Sequence, residues 1–269
     1  MNLNLATTGS QHVTRNPEPA TRNPLHETCL CVELPVIDYQ KARDLQSYLV
    51  SARKDNIIDS DMVIILEHPP VFTLGRRGGL ENLSVSESFL KKLKIPLIHV
   101  ERGGNITFHG PGQIVVYPII NLGKARLAVT DFVSNLEEVM IQTAKDLGVQ
   151  ARRNGINRGI WVGEKKLGSI GIAVRKGISF HGMALNVNLS LEPFNWINPC
   201  GLQNIKMTSI QQELSHSVSL SHIRRTLKQH FESIFGIKLV ATDIKELCRN
   251  FNLSSMLEFK SVKKEHNVF

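Results

Sequence analysis

Residues 62–68 read MVIILEH: five apolar residues in unbroken succession, then Glu67 and His68. A strand with one wet face alternates apolar and polar residues. An unbroken apolar run of this length, stopped by Pro69 and Pro70, reads instead as a strand buried on both faces. IVVYPII at 114–120 has the same character. Working outward, CVELPV (31–36) is β-like, and Asp38 is placed to cap a helix running to about Lys54. VFTLG (71–75) forms a further short strand, Ser84 opens a helix through Leu93, and PLIHV (96–100) leads into a glycine-rich segment. Thr130 caps a helix that puts Phe132, Val133, Leu136, Val139, Met140 and Ala144 on one face and closes at Gly148. Three strands follow, GIWVG (159–163), KLGSIGIAV (166–174) and ISFHGMALNVNL (178–189). Leu220, Ile223, Leu227, Phe231 and Ile234 then repeat at helical spacing before Gly236. Strands joined partly by hairpins and partly by helices define an α/β (α+β) domain, a mixed sheet with helices packed on it.

With 269 residues, 42% of them hydrophobic, the chain can bury one large core. Residues 29–240 read as that domain. Residues 1–28 are rich in Asn, Thr and Pro, show no apolar period and read as an unpacked, disordered extension; residues 241–269 read as a tail, helical and then polar. The prolines and acidic residues of the first segment argue against a mitochondrial presequence. The four cysteines form no CxxC pair, which points to free thiols, a reducing compartment and the cytoplasm. No run is long and apolar enough to span a bilayer, so no membrane partner is expected. The formal charge of +8 asks for an acidic partner. No recognition helix or aromatic stacking platform accompanies the basic residues, so nucleic acid is not the expected one.

Three segments carry more chemistry than packing needs. In RGGNITFHGPGQ (102–113), Gly103, Gly104, Gly110 and Gly112 let the backbone approach a ligand or take positive φ, and Pro111 stiffens the bend beside His109. Neither a Walker-type nor a dinucleotide-binding glycine pattern is present. Glycines that merely serve a hairpin are the plain alternative; an Arg, a Thr and a His among them favour a binding loop. In KKLGSIGIAV (165–174), strand alternation would put Lys166, Gly168 and Ile170 on one face and Lys165, Leu167 and Ser169 on the other. A glycine within a strand marks close approach, so Gly168 beside Lys166 leaves room for a ligand, against the alternative of a solvated lysine pair. The third segment ends in INPCGL (197–202), with Cys200 between Pro199 and Gly201. An ordinary lysine, near pKa 10.4, is a poor base, and an ordinary thiol, near 8.5, is a poor nucleophile at neutral pH. Paired, the amine takes the thiol proton and the ammonium stabilises the thiolate. The plain alternative for Cys200 is a small buried hydrophobe, which sits less well at a tight corner.

Taken in order, EHPPVFTLG (67–75), RGGNITFHGPGQIVVYP (102–118), GIWVGEKKLGSIGI (159–172), FHGMALNVNL (180–189) and INPCG (197–201) with TSI (208–210) resemble the lipoyl(octanoyl) transferase family. The resemblance covers about residues 30–240. It implies a biotin/lipoyl protein ligase-like fold and transfer of an octanoyl group from acyl carrier protein through a cysteine thioester. The acceptors it implies are lysines of the lipoyl domains of 2-oxoacid dehydrogenases and of the glycine cleavage H protein, in the first step of lipoate assembly. Carried onto this chain, the nucleophile is Cys200 and the acid/base is Lys166, the lysine two before Gly168 and five before Gly171; Lys165 is excluded. Implied substrate contacts are Arg102, Gly103, Gly104, Thr107, His109, His68, Gly168, Ser169, Ile170, Gly171, His181, Gly182 and Ala184. Ser190 departs from the family pattern, where an aspartate is common.

A thioester donor needs no ATP, and the resemblance implies no cofactor and no metal. Burying seven methylenes at about 0.8 kcal/mol each offers roughly 5–6 kcal/mol, yet each methylene changes affinity only about fourfold, so chain length has to be judged by a pocket floor. The positive charge suits steering toward an acidic carrier protein. Two other functions share parts of this pattern: an ATP-dependent lipoate or biotin ligase, and an inactive module that binds a lipoyl domain or carrier protein.

Overall fold

The computed structural model describes residues 27–201 and 205–250. Strand β1 (Glu27–Val36) leads into helix α1 (Tyr39–Lys54), whose Lys41 amide donates to the Asp38 carboxylate at 3.1 Å. Strands β2 (Asp61–Glu67) and β3 (Val71–Leu74) flank the proline pair. Helix α2 (Glu87–Lys92), strands β4 (Leu97–His99), β5 (Ile106–His109) and β6 (Gln113–Ile119), and helix α3 (Val129–Asp146) follow. The antiparallel strands β7 (Gly159–Val162), β8 (Lys165–Arg175) and β9 (Ile178–Asn186) come next. The described chain closes with β10 (Lys206–Met207), α4 (Ile210–Leu214), α5 (Leu220–Phe235), β11 (Ile237–Thr242) and α6 (Ile244–Asn250).

The main sheet has the order β10-β8-β9-β6-β2-β1-β11, with β7 also on β8, and mixes parallel and antiparallel pairs. The unbroken apolar run in β2 has the reason inferred for it. Met62, Ile64 and Leu66 enter a core with Ala42, Leu45 and Leu49 of α1. Val63 and Ile65 enter the opposite core with Phe132 and Leu136 of α3 and Leu227 and Phe231 of α5. A second sheet, β4-β3-β5, has its own core of Phe72, Leu90, Phe108, Phe194 and Ile197.

The structure departs from the sequence reading at several places. Helix α2 is capped by Ser86, whose hydroxyl accepts from the Phe89 amide; the Ser84 amide instead donates to the Trp196 carbonyl at 2.8 Å. Helix α3 starts from Ala128 with no side-chain cap, although the six apolar residues expected on its inner face are all buried. The segment around Ala241 is strand before it is helix: β11 lies parallel to β1, from Glu27 opposite Ile237 to Val32 opposite Thr242. Only Ile237 and Leu239 of this short strand lean on the core, too little alternation to show in the sequence. Of the extensions read at the two ends, residues 1–26 and 251–269 lie outside the described residues. Among the described residues no helix is long and apolar enough to cross a membrane.

Strand β9 approaches β6 so closely that a Cβ on Gly182 would lie 2.0 Å from the Val116 carbonyl oxygen. Gly182→Ala is therefore expected to cost about 2–3 kcal/mol by overpacking and to lower Tm by roughly 5–10 °C. Thermal unfolding followed by circular dichroism checks this; an unchanged Tm would contradict it.

Candidate active site

Pro199, Cys200 and Gly201 form a single tight turn in which Cys200 takes φ 63°, ψ 13°, left-handed backbone that side chains other than glycine seldom adopt. Such a conformation costs on the order of 1–3 kcal/mol and persists only where the surroundings enforce it. Here the Gly201 amide donates to the Asn198 carbonyl at 2.9 Å, and the corner packs so tightly on Asn105 that a Cβ on Gly201 would lie 2.5 Å from its side-chain nitrogen. The strain has a result: the half-buried Sγ of Cys200 stands 3.2 Å from Lys166 Nζ.

Lys166 is 1% exposed, and a buried amine on this scale requires a full set of acceptors. It finds the Arg158 carbonyl at 2.9 Å, Asn157 Oδ1 at 3.3 Å and Cys200 Sγ, with the Trp161 ring 5.3 Å away. The turn supplying two of these is held by Glu137 of α3, 2% exposed, which accepts from the Gly159 amide at 2.9 Å and pairs with Arg153 and Arg158. Gly159 has φ 118°, and a Cβ there would lie 2.2 Å from the Gly168 oxygen, so no other residue fits. Lys165, the excluded neighbour, turns away to Glu213 at 2.6 Å.

From Cys200 a slot runs between β5 on one side and β6, β8 and β9 on the other. Arg102, Gly104, Thr107, His109, Ser169, Ile170, Gly171, His181, Gly182 and Ala184 line it. Arg102 is a buried cation whose Nη2 donates to the Thr73 carbonyl and hydroxyl, both at 2.8 Å; burial lowers its pKa. Burial disfavours the charged form of the histidines here. Burial pushes His109 well below its ordinary value, and pushes His68 and His181 down to about 4, the positive Arg102 adding to the effect on His181. His109 Nδ1 donates to Gln113 Oε1 at 2.7 Å. His68 donates from Nδ1 to the Ile37 carbonyl and accepts from the Tyr117 hydroxyl at Nε2, each at 2.7 Å.

Three expected contacts stand one layer behind the slot. His68 orients Tyr117 rather than lining the cavity. Gly103 is bound into the loop, its amide donating to the Ile172 carbonyl at 2.8 Å. Gly168 faces the core, where a Cβ would meet Met140 Sδ at 2.8 Å. A register shift explains this last case: Trp161 pairs with Lys166 and Ile160 with Gly168, so Leu167 is extra and the simple alternation of Lys166 and Gly168 fails. Sequence reasoning missed Tyr39, Tyr117, Val115, Asn105 and Asn157, which line the slot, and Glu137 behind them. A signal for Glu137 was present, since it lies four residues after Val133 and three before Met140, on the apolar face of α3.

A buried amine against a thiol beside a largely apolar slot, on a mixed α/β sheet, is an arrangement suited to a nucleophilic transferase. Comparison with known proteins narrows the class. The lipoyl protein ligase A/B catalytic domain matches residues 38–232. The octanoyltransferases of Desulfotalea psychrophila and Syntrophobacter fumaroxidans are 44% and 45% identical over 207 and 204 residues, in each case 76% of this chain, and 93% and 89% of their own lengths. A lipoate-protein ligase A crystallised with ATP shares the fold at TM-score 0.65 and 18% identity, over 87% of this chain and 94% of its own. A bipartite lipoate protein ligase from Thermoplasma acidophilum does so at 0.63 and 18%, over 87% and 93%. The chain belongs to the lipoyl protein ligase A/B catalytic-domain family, and within it to the octanoyltransferases.

Proposed function

We propose that this enzyme carries an octanoyl group from acyl carrier protein to a lipoyl-domain lysine through a thioester on Cys200, with Lys166 as base and acid, in the cytoplasm and without ATP, metal or cofactor. The observation that carries this is the 3.2 Å approach of Lys166 Nζ to Cys200 Sγ at the mouth of the slot. In the first half-reaction the Lys166 amine takes the thiol proton and Sγ attacks the donor carbonyl. Collapse breaks the donor carbon–sulfur bond, and the departing thiolate takes the proton back from Lys166. In the second, the lipoyl-lysine nitrogen attacks the Cys200 thioester. Lys166 accepts a proton from that nitrogen, a carbon–nitrogen bond replaces the carbon–sulfur bond, and Cys200 leaves as a thiolate beside the ammonium. Thioester exchange is nearly balanced in energy and amide formation is downhill, which is why activation by ATP is unnecessary.

The rim suits an acidic carrier. Arg76 and Arg77 are exposed on a turn whose amides donate to the carbonyls of Arg102 and Gly104, at 2.9 and 3.0 Å, placing two cations beside the loop that lines the slot. Octanoyl carrier protein, a lipoyl domain and the enzyme, mixed without ATP, are expected to yield octanoyl-lysine on the lipoyl domain by mass spectrometry. An absolute need for ATP, with pyrophosphate exchange on free octanoate, would replace this reading with a ligase. Binding of either protein without any transfer would replace it with an idle binding module.

A further inference from the structure

Every buried side-chain polar atom that lacks a partner among the described residues lies in one place. These atoms are Gln46 Nε2, Glu101 Oε2, Arg102 Nε and both ring nitrogens of His181. His181 Nε2 stands 3.7 Å from Glu101 Oε2, beyond hydrogen-bond reach. His181 is 2% exposed, and its φ of 56° is left-handed although it lies within strand β9. The Gln46 side chain stabilises that backbone, its Oε1 accepting from the His181 amide at 2.7 Å.

His181 sits at the end of the slot away from the thiol. It pairs with Ile172, six residues along β8 from Lys166. The other polar rings at that end are fixed. Tyr117 donates to His68 and His109 donates to Gln113, each at 2.7 Å, while Tyr39 is stacked on His109 with ring centres 5.7 Å apart. Behind His181 lies a largely polar cavity of about 150 Å³ lined by Arg43, Gln46, Glu101, Arg175 and the Phe180 ring. Among the described residues it is the one side chain that borders both the slot and this cavity.

We propose that the His181 ring is the end wall of the acyl slot and the residue that sets acyl-chain length. The ring stands between the slot and this cavity, the one residue their linings share. Beyond it, beside the Phe180 ring, stand the charged Arg43, Glu101 and Arg175 and the unpartnered Gln46 amide, in a cavity whose rim is exposed, a setting that water satisfies and methylenes do not. A chain end passing the ring would displace that water without the gain that burial in apolar surroundings brings. The slot therefore ends on an imidazole backed by a largely polar cavity.

This inference rests on the thioester reading of Cys200, and its test separates the two. Octanoyl, decanoyl and dodecanoyl thioesters of N-acetylcysteamine compete for the enzyme, and the acyl adducts on Cys200 are read by intact mass. The decanoyl-to-octanoyl ratio is taken within one protein, so partial unfolding or backbone strain cancels. Removing the ring in His181→Ala frees the volume the imidazole fills against the Phe180 and Tyr117 rings, 4.9 and 6.4 Å away between centres, room for about two further methylenes at up to about fourfold each, so the ratio is expected to rise by up to roughly fifteenfold. His181→Asn, which suits left-handed backbone and shortens the side chain, is expected to raise it about fourfold, one methylene's worth. Octanoyl adducts with an unchanged ratio in both variants would overturn the role of His181. No adduct from any thioester on the unaltered enzyme would overturn the Cys200 reading, and this inference with it.

Discussion

Replacing Cys200 with serine is expected to lower octanoyl transfer by about 10⁴-fold or more, the order lost when a catalytic nucleophile is removed. Serine keeps an acceptor for Lys166 and matches cysteine in shape, so folding should survive, and an unchanged Tm should accompany the loss. The physical reason lies in the acyl group's route. On the proposed route the thiol exchanges one thioester for another, and a hydroxyl beside the same amine is both harder to deprotonate and a poorer leaving group in the second half-reaction. Steady-state transfer from octanoyl carrier protein measures the effect. Serine-variant activity within tenfold of the parent would mean that the donor passes its acyl group directly to the lipoyl lysine and that Cys200 merely packs.

Lys166→Met is expected to reduce transfer by about 10²–10⁴-fold, the usual contribution of a positioned general acid/base. Methionine fills the same volume, so the variant separates chemistry from packing. The Arg158 carbonyl and Asn157 Oδ1 lose their donor, a cost set against the removal of a buried amine that has no carboxylate among its hydrogen-bond partners. Lys166→Arg sharpens the test. A guanidinium can donate to the same acceptors but does not give up its proton, so it should leave the enzyme as inactive as methionine does. Single-turnover acylation of Cys200 is the readout. Recovery of activity in the arginine variant would show that a fixed positive charge suffices and that no proton moves through this position.

Much of the fold is legible in the sequence, for reasons that differ by feature. The two-faced burial of β2 announced itself because a strand between two helical layers has no position at which a polar residue is tolerated. The inner face of α3 was legible from its helical period. The pairing of Lys166 with Cys200, 34 positions apart, followed from an ordered set of motifs rather than from either residue alone. What stayed hidden depends on contacts distant in the chain. Tyr39 and Tyr117 look like ordinary core residues until β6 and the start of α1 converge on the histidines. Asn157 looks like a loop residue until the Glu137 carboxylate fixes its turn. The inward rotation of Gly168 comes from a one-residue register shift that no alternation rule foresees. Strand β11 exists because β1 offers it an edge.

The dyad stands or falls on whether the acyl group rests on sulfur. Enzyme mixed with octanoyl carrier protein, with the lipoyl domain withheld, should gain the mass of one octanoyl group. Peptide mapping should place the group on Cys200, and hydroxylamine should release it as a thioester is released. An unmodified enzyme, or an octanoyl group that stays attached when Cys200 is replaced by alanine, would contradict the account.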